Sequence, residues 1–138
     1  MNHYQKTLVL KTRGKDFHRI TREIEEIVSE SGVKMGLCTL FVRHTSASLV
    51  IQENADPDVL VDLSNFFAKL VPESGHYIHS TEGPDDMPAH IRSALTKTSE
   101  QIPINQGRLV LGIWQGIYLW EHRQHSHRRE IVVYISGI

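Results

Sequence analysis

Apolar positions recur with two different periods along this 138-residue chain. Over residues 4–11 polar and apolar side chains alternate, with Leu8 and Leu10 opposite Thr7 and Val9, the period of a strand covered on one face. The period then lengthens. Ile20, Ile24, Ile27 and Val28 fall at helical spacing, Glu23, Glu25 and Glu26 take the wet side, and Gly32 stands where a left-handed turn would end the helix. Residues 35–43 suit a buried strand, and 48–52 continue as another after the turn His44-Thr45-Ser46, which puts His44 at a strand end. Asp56-Pro57 reads as an N-cap and a first helical proline. The helix it opens carries Leu60, Leu63, Phe67 and Leu70 on one apolar face before Pro72 stops it.

A polar connection over residues 72–87, broken by Pro72, Gly75, Gly83 and Pro84, is long enough to expect a functional or a disordered segment. Asp86 is placed to cap a helix begun by Pro88 and continued through Ile91 and Leu95, with His90 in its first turn. After Pro103 the pattern predicts strands over 107–114, 117–120 and 130–135, the first two joined by a tight turn at Gln115-Gly116. Helices in the first two-thirds and antiparallel strands in the last third give an α+β class. The expected architecture is a single domain over 1–138, antiparallel sheets with helices packed on them.

This length can bury a core without disulfides or a structural ion. The opening Met1-Asn2-His3-Tyr4-Gln5 has no basic region followed by an apolar one. No window approaches the roughly 20 apolar residues of a membrane helix. The expectation is a soluble, cytoplasmic protein with no membrane partner. Fifteen basic against 16 acidic side chains, a net charge of -1, argue against nucleic-acid binding; the local exception is the basic run from Arg123 to Arg129. Cys38, the only cysteine, lies in an apolar stretch, where it packs as a small hydrophobe and can form no intrachain disulfide.

Three of the nine histidines sit beside polar turn residues and not in apolar runs: His44, His79 and His90. Three neutral imidazoles brought together can hold a divalent ion such as zinc and leave a position open for water or substrate. Scattered surface histidines are the alternative. Glu53 follows the His44 turn by one short strand and is a candidate partner for a ligating imidazole or a general base. Asn54 could orient a ligand's polar edge, and Asp56 is read as a helix cap. Glu82, Asp85 and Asp86 surround the His79–His90 stretch as candidate acceptors for an imidazole N–H, or as a solvated acidic turn. Backbone N–H groups near residues 87–90 offer a place for an anion. Trp114 and Gln115, between Gly112 and Gly116, either line a pocket or close a hairpin. Arg123, Arg128 and Arg129 either clamp an anion or lie on a solvated turn. Ser46 and Ser48 near His44 lack the strained Gly-x-Ser-x-Gly elbow of a serine hydrolase.

His44-Thr45-Ser46-Ala47, Glu53-Asn54-Ala55-Asp56-Pro57, His79 with Glu82-Gly83, Asp86 through His90, Ile102-Pro103-Ile104, and Leu111-Gly112 with Trp114-Gln115-Gly116-Ile117 together make the chain resemble the YjbQ family, also called the secondary thiamine-phosphate synthase family. The match runs over essentially the whole chain. It departs at Gly83-Pro84, where many members of the family read Gly-Asn, and at Gly112-Ile113-Trp114, where many read Gly-Thr-Trp. The resemblance implies a homotrimeric α+β domain with a polar cleft shared between subunits, and a metal site at His44, His79 and His90. It also implies weak or secondary thiamine-phosphate synthase activity, joining hydroxymethylpyrimidine diphosphate to thiazole phosphate with loss of diphosphate.

On that reading Glu53, Asp86 and Gln115 are catalytic, while Thr45, Ser46, Asn54, Trp114, Arg123 and Arg129 bind the phosphorylated substrate. The cofactor is zinc, with magnesium an option for a diphosphate. The alternatives are a metal-dependent hydrolase of another metabolite, and a trimer that binds a metal or phosphometabolite without turning it over.

Overall fold

The most regular alternation in the chain builds its largest sheet. The computed structural model describes residues 1–138. Its elements are β1 (Asn2–Lys11), β2 (Phe17–Arg19), α1 (Thr21–Ser31), β3 (Met35–Val42), β4 (Ala47–Glu53), α2 (Pro57–Leu70), α3 (Asp86–Leu95), β5 (Ser99–Asn105), β6 (Arg108–Leu109), β7 (Gln115–Glu121) and β8 (Arg128–Gly137). Along β8 every second residue is buried, Arg129, Ile131, Val133, Ile135 and Gly137, so one face looks into the core. β8 pairs antiparallel with β1 on one side and β3 on the other, in a five-stranded sheet of order β1-β8-β3-β5-β6. A second, three-stranded antiparallel sheet has the order β2-β7-β4.

One core joins both sheets to α1. The larger sheet contributes Cys38, Leu40, Val42, Ile102 and Ile104 besides the β8 residues, the smaller Leu49, Ile117 and Leu119, and the helix Ile24, Ile27 and Val28. α1 ends at Gly32 with φ 71°, the left-handed turn expected there. Cys38 is fully buried and its thiol is pushed up to about 12 by desolvation, so it stays protonated and packs as a hydrophobe. β7 is covered on both faces: Ile117 and Leu119 face the core, while Trp120 stacks with Phe17 and meets Phe67 of α2 edge-on. Asp56 caps α2 by accepting the Asp58 N–H at 2.9 Å, as expected. Phe67 is half-buried, but Leu70 is exposed together with Val61 and Phe66. No helix is long and apolar enough to cross a membrane.

Several local expectations are corrected. Residues 107–114 are not one strand. Only Arg108–Leu109 pair, with β5, and β7 pairs with β4 and β2 in place of a hairpin partner. β5 itself was hidden by Pro103, a residue that normally disqualifies an interior strand. Its carbonyl accepts the Val110 N–H at 2.9 Å, so the side of Pro103 that lacks an N–H faces past the end of β6 and the ladder to β3 loses nothing. α3 starts at Asp86, two residues before the predicted Pro88. Asp86 is therefore not a cap, and His90 lies in the second turn. The helix start offers little to an anion, since Gly83 takes the Asp86 N–H and Pro88 has none.

Candidate metal centre

Starting α3 at Asp86 places that carboxylate one turn before His90, where residues four apart share a helix face. His79, from the long connection, approaches the same carboxylate. Its Nε2 lies 2.6 Å from Asp86 Oδ2, and His90 Nε2 lies 3.1 Å from the same oxygen. One ligating atom from each of His79, Asp86 and His90 lies within 4.8 Å of the others. His90 Nδ1 is 2.9 Å from the Thr45 carbonyl, which can only accept, so this nitrogen carries the proton. In a neutral imidazole Nε2 then presents a bare lone pair to a carboxylate oxygen. Two lone pairs at that distance repel unless a proton or a cation lies between them.

Around this cluster acids outnumber bases. Glu82 Oε2 is 3.2 Å from His79 Nε2, and Asp85 and Asp86 are almost wholly buried. Arg123 is the only arginine that reaches them. Its Nε donates to Asp85 Oδ2 at 2.9 Å, its Nη1 pairs with Asp86 Oδ1 at 2.9 Å, and its Nη2 donates to the Glu82 carbonyl at 3.0 Å. Burial pushes the Asp86 carboxyl up, but the hydrogen bond from His79 and the charge of Arg123 help to hold the group below the ordinary range. The hydrogen bond to Asp86 raises His79. Three carboxylates against one guanidinium leave an excess of negative charge at a site where His79 remains open to solvent.

His44 does not join this group. Its Nε2 accepts the Glu130 N–H at 2.8 Å, and burial followed by the nearby Arg129 lowers its pKa, so it serves the loop that leads into β4. Glu53 turns back on its own chain, accepting the Ala55 and Asp56 N–H groups at 3.0 and 3.2 Å ahead of α2, and is no general base at the cluster. Asn54 donates to the Ile113 and Gln115 carbonyls, and the Gln115 side chain accepts the Gly112 N–H at 2.7 Å; together they shape the 110–116 segment. Trp114 is exposed and closes no hairpin. Thr45 serves His90 through its carbonyl alone. Ser46 Oγ accepts from Arg129 at 3.0 Å. Arg129 is buried and doubly bonded to the fully buried Glu121, so neither it nor Arg123 is a free phosphate clamp.

Sequence reasoning missed the polar group beneath this site. Burial pushes Glu121 up, but Arg129 and Thr12, the latter donating at 2.6 Å, keep it ionised below the ordinary range. His122, 1% exposed, meets Ser48 Oγ at 2.8 Å, and Thr96 donates to that oxygen at 2.7 Å. Desolvation drives His122 down to about 3 and keeps it neutral. Glu121-His122-Arg123 reads as a charged run, which carries no sign that its first two members point inward.

A family model described as "UPF0047 protein YjbQ-like" matches residues 6–138. The chain belongs to this family. A UPF0047 protein of Synechocystis is 67% identical over 135 residues, covering 97% of this chain and 92% of the relative. The YjbQ protein of Escherichia coli O157:H7 is 45% identical over 135 residues, covering 97% and 98%. Among solved structures, a YjbQ/UPF0047 protein of Clostridium acetobutylicum superposes with a TM-score of 0.88 at 40% identity, over 95% of this chain and 99% of that one. A protein of unknown function from Sulfolobus solfataricus gives 0.91 at 28% identity, over 99% and 98%. The α+β fold is thus that of the YjbQ family.

Proposed function

We propose that this YjbQ-family chain is a metal-dependent enzyme whose divalent ion is held by His79, Asp86 and His90. The observation that supports this most is the His90 Nε2 lone pair facing Asp86 Oδ2 with its proton already committed at Nδ1. Two imidazoles and one carboxylate form a donor set that suits zinc or iron and leaves positions for water or substrate. The excess of carboxylates around it favours a cation, and Glu82 is close enough to add a further oxygen. An ion bound there would supply Lewis-acid polarisation of an oxygen, or a water acidic enough to ionise near neutral pH. Arg123 holds Asp86 in place, and the Thr45 carbonyl fixes the tautomer of His90.

For the reaction, the family resemblance supports thiamine-phosphate synthase chemistry as the first assay. There the thiazole nitrogen would form a bond to the pyrimidine methylene carbon as the carbon–oxygen bond to diphosphate breaks. A metal-dependent hydrolase is the second reading, favoured by the engagement of both Arg123 and Arg129 with carboxylates. The oligomer belongs to the same proposal: a homotrimer would cover Phe66 and Leu70, which share one exposed side of α2.

Elemental analysis of untagged protein should find about one ion per chain, lost in His79→Ala, His90→Ala and Asp86→Asn variants that keep the native circular dichroism. Protein that neither carries nor takes up a divalent ion would overturn the proposal. With metal present, diphosphate release dependent on both thiamine precursors supports the transferase. Chelator-sensitive cleavage of esters without those precursors supports the hydrolase.

A further inference from the structure

A cavity of about 250 Å³ opens between α2 and the end of β7, with Lys15, Asn65, Arg92, Trp120, Glu121 and His122 in its walls. Arg92 is its anomalous member. The residue is 6% exposed, its Nη2 donates to the Val71 carbonyl at 2.8 Å, and its Nε is buried with no acceptor in the protein. A buried cation with an unmet donor is expensive to keep unless something accepts from it. No group in the walls does so. Glu121, the one acid there, has its oxygens engaged by Arg129, Thr12 and the Arg123 N–H. The His122 Nε2 is matched to Ser48. Lys15 adds a second positive charge at the rim, where its ammonium also meets Glu73, whose carboxylate accepts from Gln124 as well.

We infer that this cavity binds a small oxyanion, the phosphate or carboxylate group of a ligand, on the Arg92 guanidinium with Lys15 at its mouth. A guanidinium with an unmatched Nε–H and a nearby ammonium make a pairing by which proteins hold such groups. The cavity is separate from the candidate metal centre, none of whose three ligands lines it. Arg92 follows His90 by two residues, which at about 3.6 residues per turn places it on the other side of α3. The inference therefore goes beyond the metal reading and stands without it.

Inorganic phosphate and, separately, acetate, titrated into the whole protein at constant ionic strength, test it by NMR of the arginine Nε–H groups. A saturable shift of the Arg92 Nε–H resonance, assigned through its loss in Arg92→Lys, is expected with at least one anion. Binding should weaken about tenfold in Lys15→Ala, where one charge is gone, and persist in His79→Ala. A response to phosphate alone identifies a phosphoryl ligand, and a response to acetate a carboxylate. No saturable shift with either anion, or one that survives Lys15→Ala unchanged, would overturn the inference. So would a shift abolished by His79→Ala, which would move the anion to the metal centre and leave the metal reading intact.

Discussion

What an imidazole does is decided by what its two nitrogens meet. His44 meets a backbone N–H that has no other acceptor, so His44→Ala should cost about 1–3 kcal/mol in urea unfolding while leaving the metal content of the protein unchanged. The same variant would lose the ion if His44 were a ligand, so one measurement separates the two roles. Of the histidines singled out in the sequence, His79 and His90 come together and His44 does not. Polar turn context marked all three alike, and the partner that claims His44 lies 86 residues away at Glu130, beyond any local pattern. Asp86 was legible as a group acting on the histidines. Its place among the candidate ligand atoms depends on where α3 begins, which Pro88 disguised. Arg123 and Arg129 were legible as arginines near the site, but their acidic partners, Asp85 and Glu121, use up their charge.

At the scale of elements, periodicity located α1, β1, β3, β4 and β8, because each presents one apolar face to a common core, and α2 was located through its Asp56 cap and Pro57 although that helix buries no residue of its own. Periodicity failed where an element is too short to repeat, since β2 and β6 span three and two residues, and it gave β7, a strand expected over 117–120 but covered on both faces, the wrong partner. The end of β7 has a thermodynamic signature. It carries His122 into the interior beside Glu121, Arg92 and Arg129, and the folded chain keeps that imidazole neutral down to about pH 3 against an ordinary value of 6.5. Between those values the unfolded chain binds a proton that the folded one refuses. Stability present at pH 7 is therefore lost as pH falls, by about 1.4 kcal/mol per pH unit below 6.5 from this residue. His122→Gln, whose amide can still meet Ser48, should flatten the decline in urea midpoint between pH 6.5 and 5. Identical slopes for the two proteins would show that His122 contributes nothing to it.

On the scale of the whole molecule, the exposed Phe66 and Leu70, four residues apart and so on one side of α2, are at odds with a solitary chain. Light scattering should give the native protein the mass of three chains, and Phe66→Glu combined with Leu70→Glu should reduce it to one without loss of helix or sheet signal. A native protein with the mass of one chain would remove the trimer from the proposal. The sheet order bears on how the fold is reached. β8 is the only neighbour of β1, and it fills the side of β3 away from β5, yet it follows every other element along the chain. During synthesis both strands must wait with open hydrogen-bonding edges until β8 leaves the ribosome, a stage when pairing with another nascent chain competes with folding. The late strand that completes the core also sets the interval over which the protein is most exposed to misassembly.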